Sequence, residues 1–294
     1  MAERAHRAGV VALLGRPNAG KSRLLNRLLG EKLAIVTALP QTTRSRILGI
    51  LSRPEAQLLL LDTPGFHASE KPLNRAMAEM VEEASRGCDV AAVLVDPRRG
   101  LGEDHRTLLA GLARRGTSTL LVATQCDRPA AAAAPWPPEG APPGMETLRI
   151  SAATGEGVEE LVAALVARLP VGPPLHPEDD LTDRSLRFLA AELVREAAFE
   201  ELSQELPYAL AVEVERFDES NPALVHIEAR VLVERDSQKR IVVGSGGGVV
   251  KRIGMRARRE IEQLLGTRVH LALWVKAEPR WARRPNRLKA LGYH

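Results

Sequence analysis

Short apolar runs punctuate the first half of the chain at residues 10–14, 47–51, 58–61, 90–95, 119–123 and 148–150. Their length and their lack of alternation predict strands buried on both faces, most plainly at the four consecutive leucines 58–61. Between some of them, residues 74–86 and 103–113 repeat apolar positions at helical spacing. Such alternation predicts an α/β domain with a mostly parallel sheet and helices on both faces. Residues 128–144 are rich in Ala and Pro, cannot hold a long helix and predict an exposed loop. The stretch 169–182 contains Pro170, Gly172, Pro173, Pro174 and Pro177, the composition of a linker. It divides the chain into a first domain at 1–170, a linker at 171–182 and a second domain at 183–294.

The pattern changes beyond that point. Asp183 is placed to cap a helix running to about residue 204, with Leu186, Leu189, Ala190, Leu193, Ala197 and Leu202 on its apolar face. Two alternating strands are expected at 208–216 and 223–234. A short helix, the glycine run Gly244-Ser245-Gly246-Gly247-Gly248, a helix through Val250, Ile253, Ala257, Ile261 and Leu264, and a strand at 269–275 complete the order. This predicts a smaller α+β domain after the α/β one.

Hydrophobic residues make up 45% of the 294 positions and charged ones 27%, the balance of a soluble globular protein. No apolar run approaches the roughly 18 residues of a membrane span. Residues 1–9 lack the apolar centre of a secretory leader. Cys88 and Cys126 have no metal-ligand spacing and read as unpaired thiols in a reducing, cytoplasmic setting. The net charge of +4 conceals an asymmetry: residues 236–294 hold fourteen basic and four acidic side chains, while residues 1–235 carry a net −6. A basic end on an acidic chain suggests a polyanion partner; charge alone is also met by a solvated basic tail.

The chemistry concentrates behind the first strand. Gly15-Arg16-Pro17-Asn18-Ala19-Gly20-Lys21-Ser22 is the spacing G-x-x-x-x-G-K-S, and Arg23-Leu24-Leu25-Asn26 opens an amphipathic helix. Strand, loop and helix give the context in which backbone N–H groups wrap a phosphate chain. Lys21 can neutralise β- and γ-phosphates and the Ser22 hydroxyl can ligate Mg²⁺. Asp62-Thr63-Pro64-Gly65 follows the leucine strand, so Asp62 can hold the metal and the Gly65 N–H can meet a γ-phosphate. Pro40-Gln41-Thr42-Thr43-Arg44 lies between them, where a threonine can close on Mg²⁺ only while a γ-phosphate is present. Thr43 is assigned that place, with Lys21 and Gly65 as its partners in catalysis.

These residues together look like a translation-factor-class GTPase and resemble the Era family closely. So do Leu169-Pro170, Gly172-Pro173-Pro174, His176-Pro177-Glu178-Asp179, Leu181-Thr182-Asp183-Arg184, Glu205-Leu206-Pro207-Tyr208, Leu273-Trp274-Val275-Lys276 and Gly292-Tyr293. The family carries Asn-Lys-x-Asp after the fifth strand; this chain has Thr124-Gln125-Cys126-Asp127. Asp127 keeps the carboxylate that accepts from guanine N1 and N2, a discrimination worth factors of about 10⁴. Thr124 and Gln125 then imply weaker guanine binding with the preference retained. Ser151-Ala152-Ala153 resembles the fifth motif, whose backbone N–H would read guanine O6. Where Ras-like proteins place a glutamine after the aspartate-motif glycine, this chain has Phe66, so slow intrinsic turnover is expected without a general base. His67 reads as an exposed loop residue.

The resemblance also implies a type II KH domain at the C-terminal end, which clamps about four nucleotides against a G-x-x-G loop. Here the loop is Gly244-Ser245-Gly246-Gly247, with Lys251, Arg252 and Arg256 as phosphate contacts. The family's lysine in or after the loop is absent, implying fewer phosphate contacts and a shallower salt dependence. The implied ligand is the 3′ end of 16S ribosomal RNA and the implied task small-subunit assembly, with GTP/GDP and Mg²⁺ as cofactors. A monomer without DNA affinity is expected, with weak peripheral contact to anionic membrane. Two other readings compete: an RNA-binding assembly factor with a degenerate nucleotide domain, and a membrane-surface GTPase acting through the basic end.

Overall fold

The computed structural model describes every residue except 1–4, 38, 40, 41, 66–71, 204 and 294, and side chains at 72–74 and 76 also fall outside the description. The chain forms two compact units, one of Met1–Ala34 and Thr43–Asp183, the other of Ile35–Thr42 and Arg184–His294.

The first unit contains β1 (Arg7–Gly15), α1 (Lys21–Leu29), β2 (Ile47–Arg53), β3 (Ala56–Asp62), α2 (Pro72–Gly87), β4 (Val90–Val95), α3 (Glu103–Arg115), β5 (Ser118–Ala123), α4 (Pro129–Ala132), β6 (Thr147–Arg149) and α5 (Val158–Val166). The sheet order is β2-β3-β1-β4-β5-β6. Only β2 runs antiparallel, paired with β3 so that Ile47 faces Asp62. Every residue of β3 and of β4 is buried, as expected of strands covered on both faces. Ala12 and Leu14 of β1 pack with Val81, Ala84, Leu109 and Leu112 under α2 and α3. The parallel register of β1 on β3 (Leu13 opposite Asp62) and on β4 (Gly15 opposite Leu94) brings the carboxyl ends of the strands to one edge. Loops leaving that edge form the site, as in open α/β sheets generally.

Residues 171–183 pack on this first unit rather than running free. Leu181 accepts the Ile50 N–H at 2.9 Å, Thr182 Oγ1 donates to Leu48 O at 2.6 Å, and Gln57 Oε1 accepts the N–H groups of Leu175 and His176 at 2.7 and 2.9 Å. The proline-rich stretch thereby satisfies backbone donors and acceptors that the edge strand β2 would otherwise leave open.

The second unit contains α6 (Leu186–Glu201), β7 (Ala211–Asp218), β8 (Leu224–Val233), α7 (Asp236–Val243), α8 (Gly248–Leu265), β9 (Arg268–Ala277) and α9 (Pro285–Ala290). The sheet is β7-β8-β9, antiparallel then parallel. Val225, Ile227, Ala229, Val231 and Val233 alternate inward from β8 against Leu193, Ala197, Ile253, Ala257 and Ile261 of α6 and α8. Ser185, not Asp183, caps α6, its hydroxyl accepting the Phe188 N–H at 3.3 Å. Within this unit the Val36 N–H donates to Glu196 Oε1 of α6 at 2.9 Å.

Helix α9 was not legible as an element, because its apolar content is a single turn. It is fixed instead by fully buried Trp281, whose Nε1 donates to Ala209 O at 3.3 Å, and by charge. Arg287 donates to both Glu213 carboxylate oxygens at 2.9 and 2.7 Å and to both of Glu278 at 3.0 Å. Hydrogen bonds from Arg287, aided by Arg230 and opposed by burial, pull Glu213 down to about 2. Stability from this group is therefore complete above the ordinary glutamate value and is lost as pH falls from about 4.5 toward 2. Arg287→Met is expected to destabilise the second unit at pH 7 by about 1–2 kcal/mol, below the figure for a fully buried pair because both side chains keep some exposure. Denaturant titrations of the full chain at stepped pH should show the gap between wild type and variant narrowing below pH 4.5; a gap constant with pH would remove the charge network as its cause.

Candidate nucleotide site and glycine loop

The nucleotide site begins where β1 ends. Gly15 to Ser22 turn over the start of α1, and Lys21 is buried, its Nζ donating to Gly15 O and Arg16 O at 3.0 and 3.1 Å. Arg16 anchors the loop through a fork to the Asp104 carboxylate at 2.7 and 2.6 Å. Gly65 closes the opposite wall so tightly that a Cβ there would stand 2.4 Å from Pro17 N. No other residue type allows that approach without moving the phosphate loop.

Three oxygen-bearing side chains meet beside Lys21. Ser22 Oγ donates to Asp62 Oδ2 at 2.6 Å, and Thr43 Oγ1 lies 2.8 Å from Ser22 Oγ. Asp62 is fully buried, and its second oxygen, Oδ1, has no hydrogen-bond partner among the described residues. Burial pushes Asp62 up to about 6, against the pull of Lys21. Burial likewise pushes Lys21 down to about 8, against the pull of Asp62. A buried carboxylate oxygen without a partner, beside two hydroxyls, is the donor set a hard divalent cation takes. The residues present thus fit Mg²⁺. Thr43 is the threonine that reaches Ser22. Its neighbour Thr42 instead joins Thr37 Oγ1 at 2.7 Å within the second unit.

The base end lies along the tips of β5 and β6. Thr124 Oγ1 donates to Ala19 O at 2.8 Å, making the tie to the phosphate loop that an asparagine would make. Gln125 Nε2 donates to Asn18 O at 2.9 Å. Asp127 accepts from Ser151 Oγ at 2.7 Å, so the carboxylate is oriented from behind. Ser151 is fully buried, with Ala152 and Ala153 following it in the turn that leaves β6. Arg23 stands on the first turn of α1 and is exposed. Gln41, Phe66 and His67 lie outside the described residues.

In the second unit the glycine loop links α7 to α8. Gly246 and Gly247 have φ of 56° and 78°, a left-handed pair that excludes most side chains. Lys251 is exposed on α8. Arg252 donates to Glu201 Oε2 at 2.7 Å, and Arg256 pairs with Glu200, so both guanidinium groups already serve α6. Ile241, 58% exposed at the end of α7, borders the loop, a feature sequence reading missed. It also missed the Arg16–Asp104 fork and the side chain of Arg98, which donates to Gln125 Oε1. A single arginine between a strand and a loop carries no spacing signal.

Comparison with known proteins agrees with both units. Residues 10–125 match the family described as 50S ribosome-binding GTPase, and residues 205–282 match the KH domain. The GTPase Era of Geotalea uraniireducens is 42% identical over 302 aligned positions, covering all of both chains. An Aquifex aeolicus Era variant bound to GDP and AlF4⁻ superposes with a TM-score of 0.90 at 35% identity, covering 98% of this chain and 99% of the other. A second solved Era, in complex with MgGDPNP and nucleotides 1506–1542 of 16S ribosomal RNA, gives 0.88 at 35% identity with the same coverage. Similarity along the whole length, through an α/β nucleotide unit and a KH unit in the same order, places the chain in the Era family of GTPases.

Proposed function

We propose that this chain is a GTP-hydrolysing switch that binds 16S ribosomal RNA and assists assembly of the small ribosomal subunit. The observation that carries the reading is the meeting of Lys21, Ser22, Thr43 and Asp62 under one phosphate loop. The Era solved with MgGDPNP and 16S ribosomal RNA supports the choice of ligands. The functional boundaries are 1–170 for the nucleotide domain, 171–182 for the linker and 183–294 for the RNA-binding domain.

Gly15, Asn18, Ala19, Gly20 and Arg23 shape the phosphate cradle. Ser22, Thr43 and Asp62 would hold Mg²⁺, which when bound neutralises charge between the β- and γ-phosphates. Lys21 gives up its two carbonyl partners to meet the phosphates, and its charge grows in value as the γ-phosphoryl group departs. The Gly65 N–H donates to a γ-phosphate oxygen, which couples this turn to the presence of that phosphate. Loss of that phosphate releases Thr43 and Gly65 together. Asp127 reads the guanine N1 and N2 edge, held in line by Ser151, while the Ala152 N–H faces O6. The tie from Thr124 to Ala19 favours a working site over the degenerate alternative. In the second unit Gly244, Ser245, Gly246 and Gly247 admit the sugar–phosphate backbone, with Lys251, Arg252 and Arg256 beside it. The protein acts as a monomer, and exposed Arg283, Arg284 and Lys289 support weak contact with an anionic membrane surface.

Asp127→Asn presents an amide donor to guanine N1 and N2. It is expected to cut affinity for fluorescent GDP by about 100-fold or more and to favour xanthosine diphosphate, whose 2-oxo group accepts from that amide. Unchanged GDP binding by this variant would remove Asp127 from the base site. Switching requires RNA affinity to depend on the bound nucleotide. Titration of a short 16S 3′-end RNA should give affinities at least about 5-fold apart with GDP and with a non-hydrolysable GTP analogue; equal affinities would contradict a switch.

A further inference from the structure

Beside the turn that carries Gln125 stands a basic side chain that the motif leaves out, Arg98. Asp96 and Arg98 follow β4 directly. Asp96 is nearly buried and accepts from Arg98 Nε at 2.8 Å, from Nη2 at 2.6 Å and from the Arg98 N–H at 3.0 Å. The same Nη2 reaches Gln125 Oε1 at 3.2 Å, and Gln125 Nε2 passes on to Asn18 O at 2.9 Å. Both Asn18 and Gln125 hold left-handed backbones, with φ of 62° and 58°. Non-glycine residues take that conformation rarely, and its recurrence on both sides of one hydrogen bond marks an over-determined spot. A line of hydrogen bonds thus runs from Asp96, at the end of β4, through Arg98 and Gln125 to Asn18 of the phosphate loop.

Charge agrees with this placement. Hydrogen bonds donated to Asp96 hold the Arg98 guanidinium above its ordinary range, and the field of Asp127 adds to them. The hydrogen bond to Gln125 sets Arg98 against the turn that carries Asp127. Its side chain keeps 32% of its exposure, so one surface of the guanidinium is still open. A planar, weakly hydrated guanidinium stacks on aromatic rings more readily than an ammonium does.

We propose that Arg98 is the cation of the base site, positioned by Asp96 and Gln125 to cover the guanine ring whose edge Asp127 reads. The inference rests on the guanine-nucleotide reading above. On this view the chain has moved the positive charge from position 125 to position 98, and Gln125 serves as the neutral bridge between Arg98 and Asn18. A bridging amide suits that place because it accepts on one side and donates on the other.

The test is a double-substitution cycle on the full chain, read by fluorescent GDP titration. Arg98→Gln is expected to weaken GDP about 10-fold, the scale of a desolvated cation–π contact, and Arg98→Lys to restore part of the loss. Gln125→Lys in the wild-type background should change affinity less than about 2-fold, because the new ammonium meets Arg98. In the Arg98→Gln background the same lysine should recover most of the loss. A role confined to closing the turn after β4 would not create that rescue. GDP affinity unchanged in Arg98→Gln, or an equal gain from Gln125→Lys in both backgrounds, overturns the proposal. A wild-type chain that binds no guanine nucleotide overturns the guanine reading itself, and the proposal with it.

Discussion

Burial of opposite charges at the end of the central strands is the constraint on which the first unit depends. Lys21 and Asp62 are 5% and 0% exposed. Removing either charge from water alone would cost several kcal/mol. The fold offsets that cost with two backbone carbonyls for Lys21 and with the hydroxyls of Ser22 and Thr43 for Asp62. Among the described residues it leaves Asp62 Oδ1 without a hydrogen-bond partner. An apolar core would have no reason to keep such an atom, whereas a site that takes up a metal and a polyphosphate does. The parallel register of β1 with β3, the close contact of Gly65 with Pro17 and the fork from Arg16 to Asp104 all serve to hold this pair in place.

The base end shows how one contact network tolerates changed residues. Thr124 reaches Ala19 O with a shorter side chain than asparagine. Gln125 keeps a donor for Asn18 O while losing the charge of a lysine. On the proposal above, Arg98 brings a charge from a different loop, held by Asp96. The ties from this turn to the phosphate loop are made although the motif residues differ, so roles follow from geometry more than from spacing.

Much of the fold was legible because it rests on local pattern. The 58–61 leucines read as a strand covered on both faces and are entirely buried in β3. The run 90–95 matched β4 end to end. The phosphate loop and the Asp62 turn were legible because close backbone approach needs glycine and metal binding needs oxygen at fixed spacing. What escaped depends on distant partners. The cap of α6 fell on Ser185 rather than Asp183, two acceptable residues that only the entry angle of the chain separates. The proline-rich stretch read as a linker by composition, and its hydrogen bonds to Gln57 and to the edge of β2 carry no signal in that composition. Helix α9 is held by Arg287 between Glu213 and Glu278, residues that no periodicity links. The division of the switch stretch, with Thr42 in one unit and Thr43 in the other, could not be read from two adjacent threonines.

The central claim is that Ser22, Thr43 and Asp62 form one metal-dependent phosphate site. The most direct measurement is calorimetric titration of a non-hydrolysable GTP analogue, with and without Mg²⁺, on wild type and on Ser22→Ala. The account requires Mg²⁺ to tighten wild-type binding by about 10-fold or more and to lose most of that effect in the variant, on the scale of one lost charge-assisted contact. An equal Mg²⁺ effect in both proteins would contradict it.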